Sequence, residues 1–177
     1  EPGASQVSPA PITGASGFTP LFMYRNTGHG RLELYEFRKV RKLDLWVFAP
    51  RFADLTGDGL TDLAVVADYG MSRLYLNVGD GMFEIAAGTT DVLTDENGMG
   101  SAIGDYDNDG DLIWFVSSIF GQIDSAKVSY RGTGKRLYVN DAGTAFTKVT
   151  NEACVRVGGF ECGRSLGDFD TEGDLYL

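Results

Sequence analysis

The 177 residues include 43% hydrophobic side chains, enough for one ordinary domain with a core, and carry a formal net charge of −10. That acidic balance, with no basic stripe anywhere, excludes a phosphate-binding surface and hence nucleic acid as a partner. No apolar run approaches the roughly 18 residues of a membrane-spanning helix. The longest, such as Leu63–Ala67, are a few residues each, and 24 glycines among many Tyr, Phe and Val point to short strands joined by tight turns.

Residues 1–20 are rich in Pro, Gly, Ser, Thr and Ala and read as an extended or flexible lead-in. They begin at Glu1 rather than at Met, the pattern of a processed product or a fragment. The first strand pair is expected around Met23-Tyr24-Arg25-Asn26-Thr27-Gly28-His29-Gly30, where Asn and Gly supply the left-handed backbone of a tight hairpin. The same element returns as Leu74-Tyr75-Leu76-Asn77-Val78-Gly79-Asp80-Gly81-Met82-Phe83, and again as Leu137-Tyr138-Val139-Asn140-Asp141-Ala142-Gly143-Thr144-Ala145-Phe146. Between these hairpins lie acidic loops that start at Asp54, Asp105 and Asp168, each preceded by an apolar residue and then a small one: Phe52-Ala53, Ile103-Gly104 and Leu166-Gly167. The small residue implies close backbone approach where the chain bends into the loop.

Asn26 to Asp54, Asn77 to Asp105 and Asn140 to Asp168 are each 28 residues apart, so hairpin and loop form one repeating device. The period is 51 and then 63, which places about twelve extra residues between Asp105 and Asn140, most naturally as a surface loop from Gly121 to Gly134. Each unit reads as a four-stranded antiparallel sheet. In the middle unit the strands run through Ser101–Gly104, Leu112–Val116, Leu137–Val139 and Phe146–Val149. Helical periodicity is weak throughout; its best stretch, Asp91–Asn97, stops at Gly98.

The loops carry the chemistry. In the first, oxygen-bearing side chains fall at positions 1, 3, 5 and 9 (Asp54, Thr56, Asp58, Asp62), with Gly59 at position 6 and the Leu60 carbonyl at position 7. Calcium takes several hard oxygen ligands from such a loop, and the glycine permits the sharp turn around the ion. The second offers Asp105, Asp107, Asp109 and Asp111, the third Asp168, Asp170, Glu172 and Asp174. Eleven of the 25 carboxylates sit in these three windows, and their mutual repulsion calls for a neutralising partner. An EF-hand would need Glu at position 12 and a following helix. Position 12 is Val65 in the first loop and Val116 in the second, with strand-like runs after both. Position 9 is Ile113 in the second loop and Tyr176 in the third, so the first loop is the most complete.

The D-x-[DN]-x-D-G-x-x-D loop between strands, followed by an L-Y-x-N-x-G-D-G-x-F hairpin, resembles FG-GAP/VCBS repeats over roughly Leu21–Leu177. It is similar to the group that includes ASPIC/UnbV proteins and cartilage acidic protein. The resemblance implies an all-β fold of β-propeller-like blades, one to three Ca²⁺ ions in the blade loops, and an exported protein serving adhesion, recognition or scaffolding. Laid onto this chain it gives a half blade over 21–49, units over about 50–98 and 99–160, and a half blade over 161–177. That is about three blade equivalents, fewer than the four a closed propeller needs, so the sheets stay open or are completed by another chain.

Three functional classes follow: a secreted or cell-surface module that binds a protein or glycan ligand, a fibre subunit built head-to-tail from copies of itself, and a non-catalytic accessory domain of a secreted enzyme. An enzyme is not expected. The single histidine, His29, occupies a turn position where the sibling units have Asp80 and Gly143. Cys154 and Cys162 flank Gly158-Gly159, either as a disulfide closing that loop or as two buried thiols. Tyr69, Tyr130 and Trp46 are assigned to core packing rather than to sugar binding.

Overall fold

The computed structural model describes residues 19–20, 22–35, 44–86, 97–124, 129–141, 145–156, 165–173 and 175–176. They form strands and turns, with no helix among them. In chain order the strands are β1 (Thr19–Pro20), β2 (Met23–Gly28), β3 (Arg31–Tyr35), β4 (Asp44–Leu45), β5 (Val47–Ala53), β6 (Asp62–Ala67), β7 (Arg73–Asn77) and β8 (Phe83–Ile85). They continue as β9 (Gly98–Gly104), β10 (Ile113–Ser118), β11 (Phe120–Asp124), β12 (Ser129–Thr133), β13 (Arg136–Asp141) and β14 (Ala145–Lys148).

Two four-stranded antiparallel sheets organise the fold, with orders β5-β6-β7-β8 and β9-β10-β13-β14. Both follow one plan. A strand enters the acidic loop, a second leaves it, and a hairpin adds the outer two. The N-terminal pair β2–β3 is a hairpin of the same kind, and β1 pairs with β4. The twelve-residue insertion, expected as a surface loop over Gly121–Gly134, contains the strand pair β11–β12, paired from Phe120↔Thr133 to Asp124↔Ser129. Phe120, Ile123, Tyr130 and Thr133, residue types that favour strands, sit among its polar residues. Asp91–Asn97, the best of the weakly helical stretches, falls outside the described residues except for Asn97, which makes a β-bridge to Asp68.

The apolar runs are explained by stacking of these sheets. Every residue of β6 and of β10 is buried, because both faces of each strand are covered. Ala64, Val66 and Leu74 of the first sheet pack with Trp114, Val116 and Tyr138 of the second, with Leu55 in the same cluster. The opposite face of the first sheet, with Leu63, Val65, Tyr75 and Phe83, receives Met23 from the N-terminal hairpin. The opposite face of the second, with Ile113, Phe115 and Leu137, receives Leu166. Hairpin, sheet, sheet and C-terminal segment are thus stacked in chain order. Each fully buried large side chain contributes about 1.5–3 kcal/mol. The Trp114 indole donates to Ser101 Oγ at 2.8 Å, which satisfies its only polar atom inside the core.

The small residue before the second loop has the predicted role. A Cβ on Gly104 would lie 2.9 Å from both Leu166 Cδ1 and Leu175 Cδ1, so glycine is what lets the next segment pack there. Trp46 and Tyr69, by contrast, are not core residues: both are exposed. The side chain of Tyr130 lies outside what is described. Cys154 is a free thiol and exposed rather than buried, and Cys162, the other half of the candidate disulfide, lies outside the described residues.

Candidate cation-binding loops

All three acidic loops adopt one backbone conformation. Positions 4 and 6 are left-handed in each: Gly57 and Gly59 (φ 71° and 85°), Asn108 and Gly110 (59° and 94°), Thr171 and Gly173 (64° and 95°). The aspartate at position 1 accepts the amide of position 6 every time: Gly59 to Asp54 at 2.8 Å, Gly110 to Asp105 at 3.0 Å and Gly173 to Asp168 at 3.1 Å. In the first two loops the carboxylate at position 5 accepts the amide of position 7, Leu60 to Asp58 and Asp111 to Asp109, both at 2.8 Å. The Asp at position 1 and Gly at position 6 therefore code first for a backbone fold, whatever the loop's carboxylates go on to hold.

Beyond this shared frame the loops differ. In the second, oxygens of Asp105, Asp107 and Asp109 all lie within 4.8 Å of one another. Asp105 Oδ1 is buried there without a hydrogen-bond partner. A fully buried carboxylate oxygen left unpartnered is costly, and three converging carboxylates compound that cost by repulsion. The first loop, which the sequence ranks as most complete, does not gather its three carboxylates in this way. Its position 9, Asp62, is a residue of β6 and wholly buried. One Asp62 oxygen accepts the Leu55 amide at 3.0 Å and the other the Asn77 amide at 2.9 Å. Burial pushes the Asp62 carboxyl above its ordinary range, and the amides of Asn77 and Leu55 offset only part of that. Asp62 thus ties the loop to the hairpin of its own sheet, and Asn77 Nδ2 completes the tie by donating to Thr61 O at 3.0 Å. Thr56 Oγ1, at position 3, is buried without a hydrogen bond.

In the third loop position 9 is Tyr176, whose hydroxyl donates to Asp170 Oδ2 at 2.6 Å. That bond holds the exposed Asp170 carboxyl below its ordinary range. The Tyr176 and Phe169 rings stand 6.0 Å apart. Asp174 lies outside the described residues. The second and third loops also touch, since Asn108 Nδ2 donates to Gly173 O at 3.2 Å. Sequence spacing did not reveal that contact, nor the one from Asn140 Nδ2 to Leu55 O, which joins the hairpin of the second sheet to the first loop. Elsewhere, His29 (φ 51°) and Asp80 (φ 52°) hold the same turn conformation in their hairpins. An open cleft of about 320 Å³ lies between β5, β9 and residues 165–166, lined by Arg51, Phe52, Ser101, Ile103 and Leu166 among others. Its Ser101 hydroxyl is already engaged by Trp114.

Stacked four-stranded antiparallel sheets, each opened by an Asp/Gly loop and closed by a hairpin, define a β-repeat protein built of propeller-like blades in an open array. Residues 54–113 match the family model of the FG-GAP-like repeat, so this stretch of the chain is similar to that family. The match runs from the first acidic loop through the second to the start of β10. No curated protein matches the chain.

Proposed function

We propose that this chain is a calcium-dependent recognition or adhesion module that works outside the cell, with a protein or glycan as its ligand. The observation that carries the reading is the second loop: Asp105, Asp107 and Asp109 converge within 4.8 Å, with Asp105 Oδ1 buried and unpartnered. The donor set is all oxygen on a glycine-bearing loop, which suits a hard, flexible-coordination ion such as Ca²⁺. Thr56 Oγ1, equally orphaned, makes the first loop a second candidate. A bound Ca²⁺ supplies the positive charge that three adjacent carboxylates lack. The loop residues themselves set the site: Asp105 anchors the turn through Gly110, and Asp109 holds position 7. The stacked sheets present these loops rigidly, and no catalytic role is assigned.

The test is thermal unfolding in EGTA and in millimolar Ca²⁺. A ligand at 100 times its Kd stabilises by about 2.7 kcal/mol, so the melting temperature should rise with Ca²⁺. The rise should shrink strongly in Asp105→Asn. Equal melting temperatures in the two buffers would end the calcium reading.

A second reading, a head-to-tail assembling subunit, is favoured by the N-terminal hairpin. The outward face of β2–β3 exposes Tyr24, Leu32 and Leu34. The edge of β2 that corresponds to the β6-paired edge of β7 has no partner strand among the described residues. Light scattering at increasing concentration tests it: growing mass supports assembly, and a constant monomer mass removes it.

A further inference from the structure

At the opposite end of the first sheet from its acidic loop, Trp46 and Tyr69 form an exposed corner. Their ring centroids are 6.3 Å apart, the rings are inclined at 68° to each other, and they are 37% and 66% exposed. Asp68 N donates to Trp46 O at 2.9 Å, which locks the two segments together.

Tyr69 is held there against its backbone preference. It has φ 58°, Gly70 has φ 66°, and Met71 N donates to Asp68 O at 3.1 Å, which together make a type I′ turn. The same turn recurs at Asp80-Gly81, with φ 52° and 70° and Met82 N donating to Gly79 O at 2.9 Å. There the first position is aspartate, which tolerates left-handed backbone far better than an aromatic residue does. An exposed ring gains little from burial, so neither turn chemistry nor packing accounts for tyrosine at 69. Beside it, the Asp68 carboxylate accepts the Tyr69 amide at 3.2 Å. Its partial burial raises its pKa, and among the described residues no cationic side chain pairs with it.

We propose that Trp46, Tyr69 and Asp68 form a binding corner for a quaternary ammonium group. Two inclined aromatic faces attract such a cation through their negative ring faces, and its methyl groups pack against them without needing hydrogen bonds. The carboxylate supplies the counter-charge it lacks at present, and the net charge of −10 draws cations rather than anions toward this surface. A sugar would also stack on these rings but would leave Asp68 without a counter-ion. The corner is about 20 Å along β6 from the first acidic loop, so the inference stands independently of calcium.

The test is tryptophan fluorescence of the full chain titrated with choline, with its neutral isostere 3,3-dimethylbutanol and with methyl glycosides, at fixed Ca²⁺. Trp114 is wholly buried, and Trp46→Phe checks that the signal comes from Trp46. Saturable quenching by choline is expected, about tenfold weaker for the neutral isostere and weakened again in Asp68→Asn. Tyr69→Asn separates binding from folding: it suits the turn better, so it should melt no lower than the parent while losing choline binding. A trimethyl-lysine peptide and phosphatidylcholine vesicles then distinguish a methylated protein from a lipid headgroup as the source, and binding in either arm supports the site. No saturable response to choline, equal binding of the neutral isostere, a response to glycosides alone, or unchanged choline binding by Tyr69→Asn would each overturn it.

Discussion

Replacing Asp62 by alanine tests the claim that this carboxylate ties loop to hairpin. Its two oxygens accept the amides of Leu55 at 3.0 Å and Asn77 at 2.9 Å, and the side chain is wholly buried. Alanine offers neither amide an acceptor. A buried donor left unsatisfied costs about 1–3 kcal/mol, so two cost about 2–6 kcal/mol, a large part of the 5–15 kcal/mol typical of a domain. Urea unfolding in EGTA isolates this term from any loss of cation binding. The midpoint should fall with the slope unchanged. Asp62→Asn should lie between the parent and alanine, because one oxygen remains to accept an amide while the new NH₂ faces a second donor. A loss below about 1 kcal/mol for alanine would mean that water reaches these amides and that Asp62 is not the tie.

Gly110→Ala should cost about 1–2 kcal/mol through backbone alone, since φ is 94° and a Cβ there would meet no atom within 4 Å; no change in stability would show that the loop relaxes. Tyr75 is fully buried, and burial pushes its phenol up to about 12 from 10. A raised folded pKa means stability is whole below pH 10 and is lost as pH rises from 10 through 12, by at most about 2–3 kcal/mol. Denaturant midpoints measured from pH 9 to 12 should fall accordingly, and Tyr75→Phe should remove Tyr75's share of that slope. Tyr176→Phe deletes the hydroxyl that bonds Asp170, so NMR titration should find the Asp170 carboxyl moved back up toward its ordinary range.

Much of this architecture is legible in the residues alone, and the reasons are local. Gly28, Gly30, Gly79 and Asp80-Gly81 hold the left-handed turns, and the Asn26 and Asn77 side chains accept the amides of Gly28 and Gly79 beside them, so both hairpins are legible in these residues. Continuous apolar runs at Leu63–Ala67 and Leu112–Val116 suit strands, and stacking of the sheets then covers both faces of β6 and β10. The D-x-x-x-D-G spacing encodes a loop whose first carboxylate caps the sixth amide, a bond confined to six residues and hence independent of distant context.

What the residues could not disclose depends on who stands opposite. The first loop has the fuller set of oxygens by spacing, yet in three dimensions its Asp62 is drawn inward by Leu55 and Asn77, and the three carboxylates that converge are those of the second loop. Trp46 and Tyr69 have the composition of core residues, and only the meeting of the β5 entrance with the β6–β7 turn sets them on the surface. The contacts from Asn108 to Gly173 and from Asn140 to Leu55 span 65 and 85 residues. Sequence determined the repeating unit, because hairpin and loop are written in short-range backbone chemistry. Tertiary structure decided which copies of that unit gather charge and which bury it, because burial and charge proximity are set by stacking between units rather than within one.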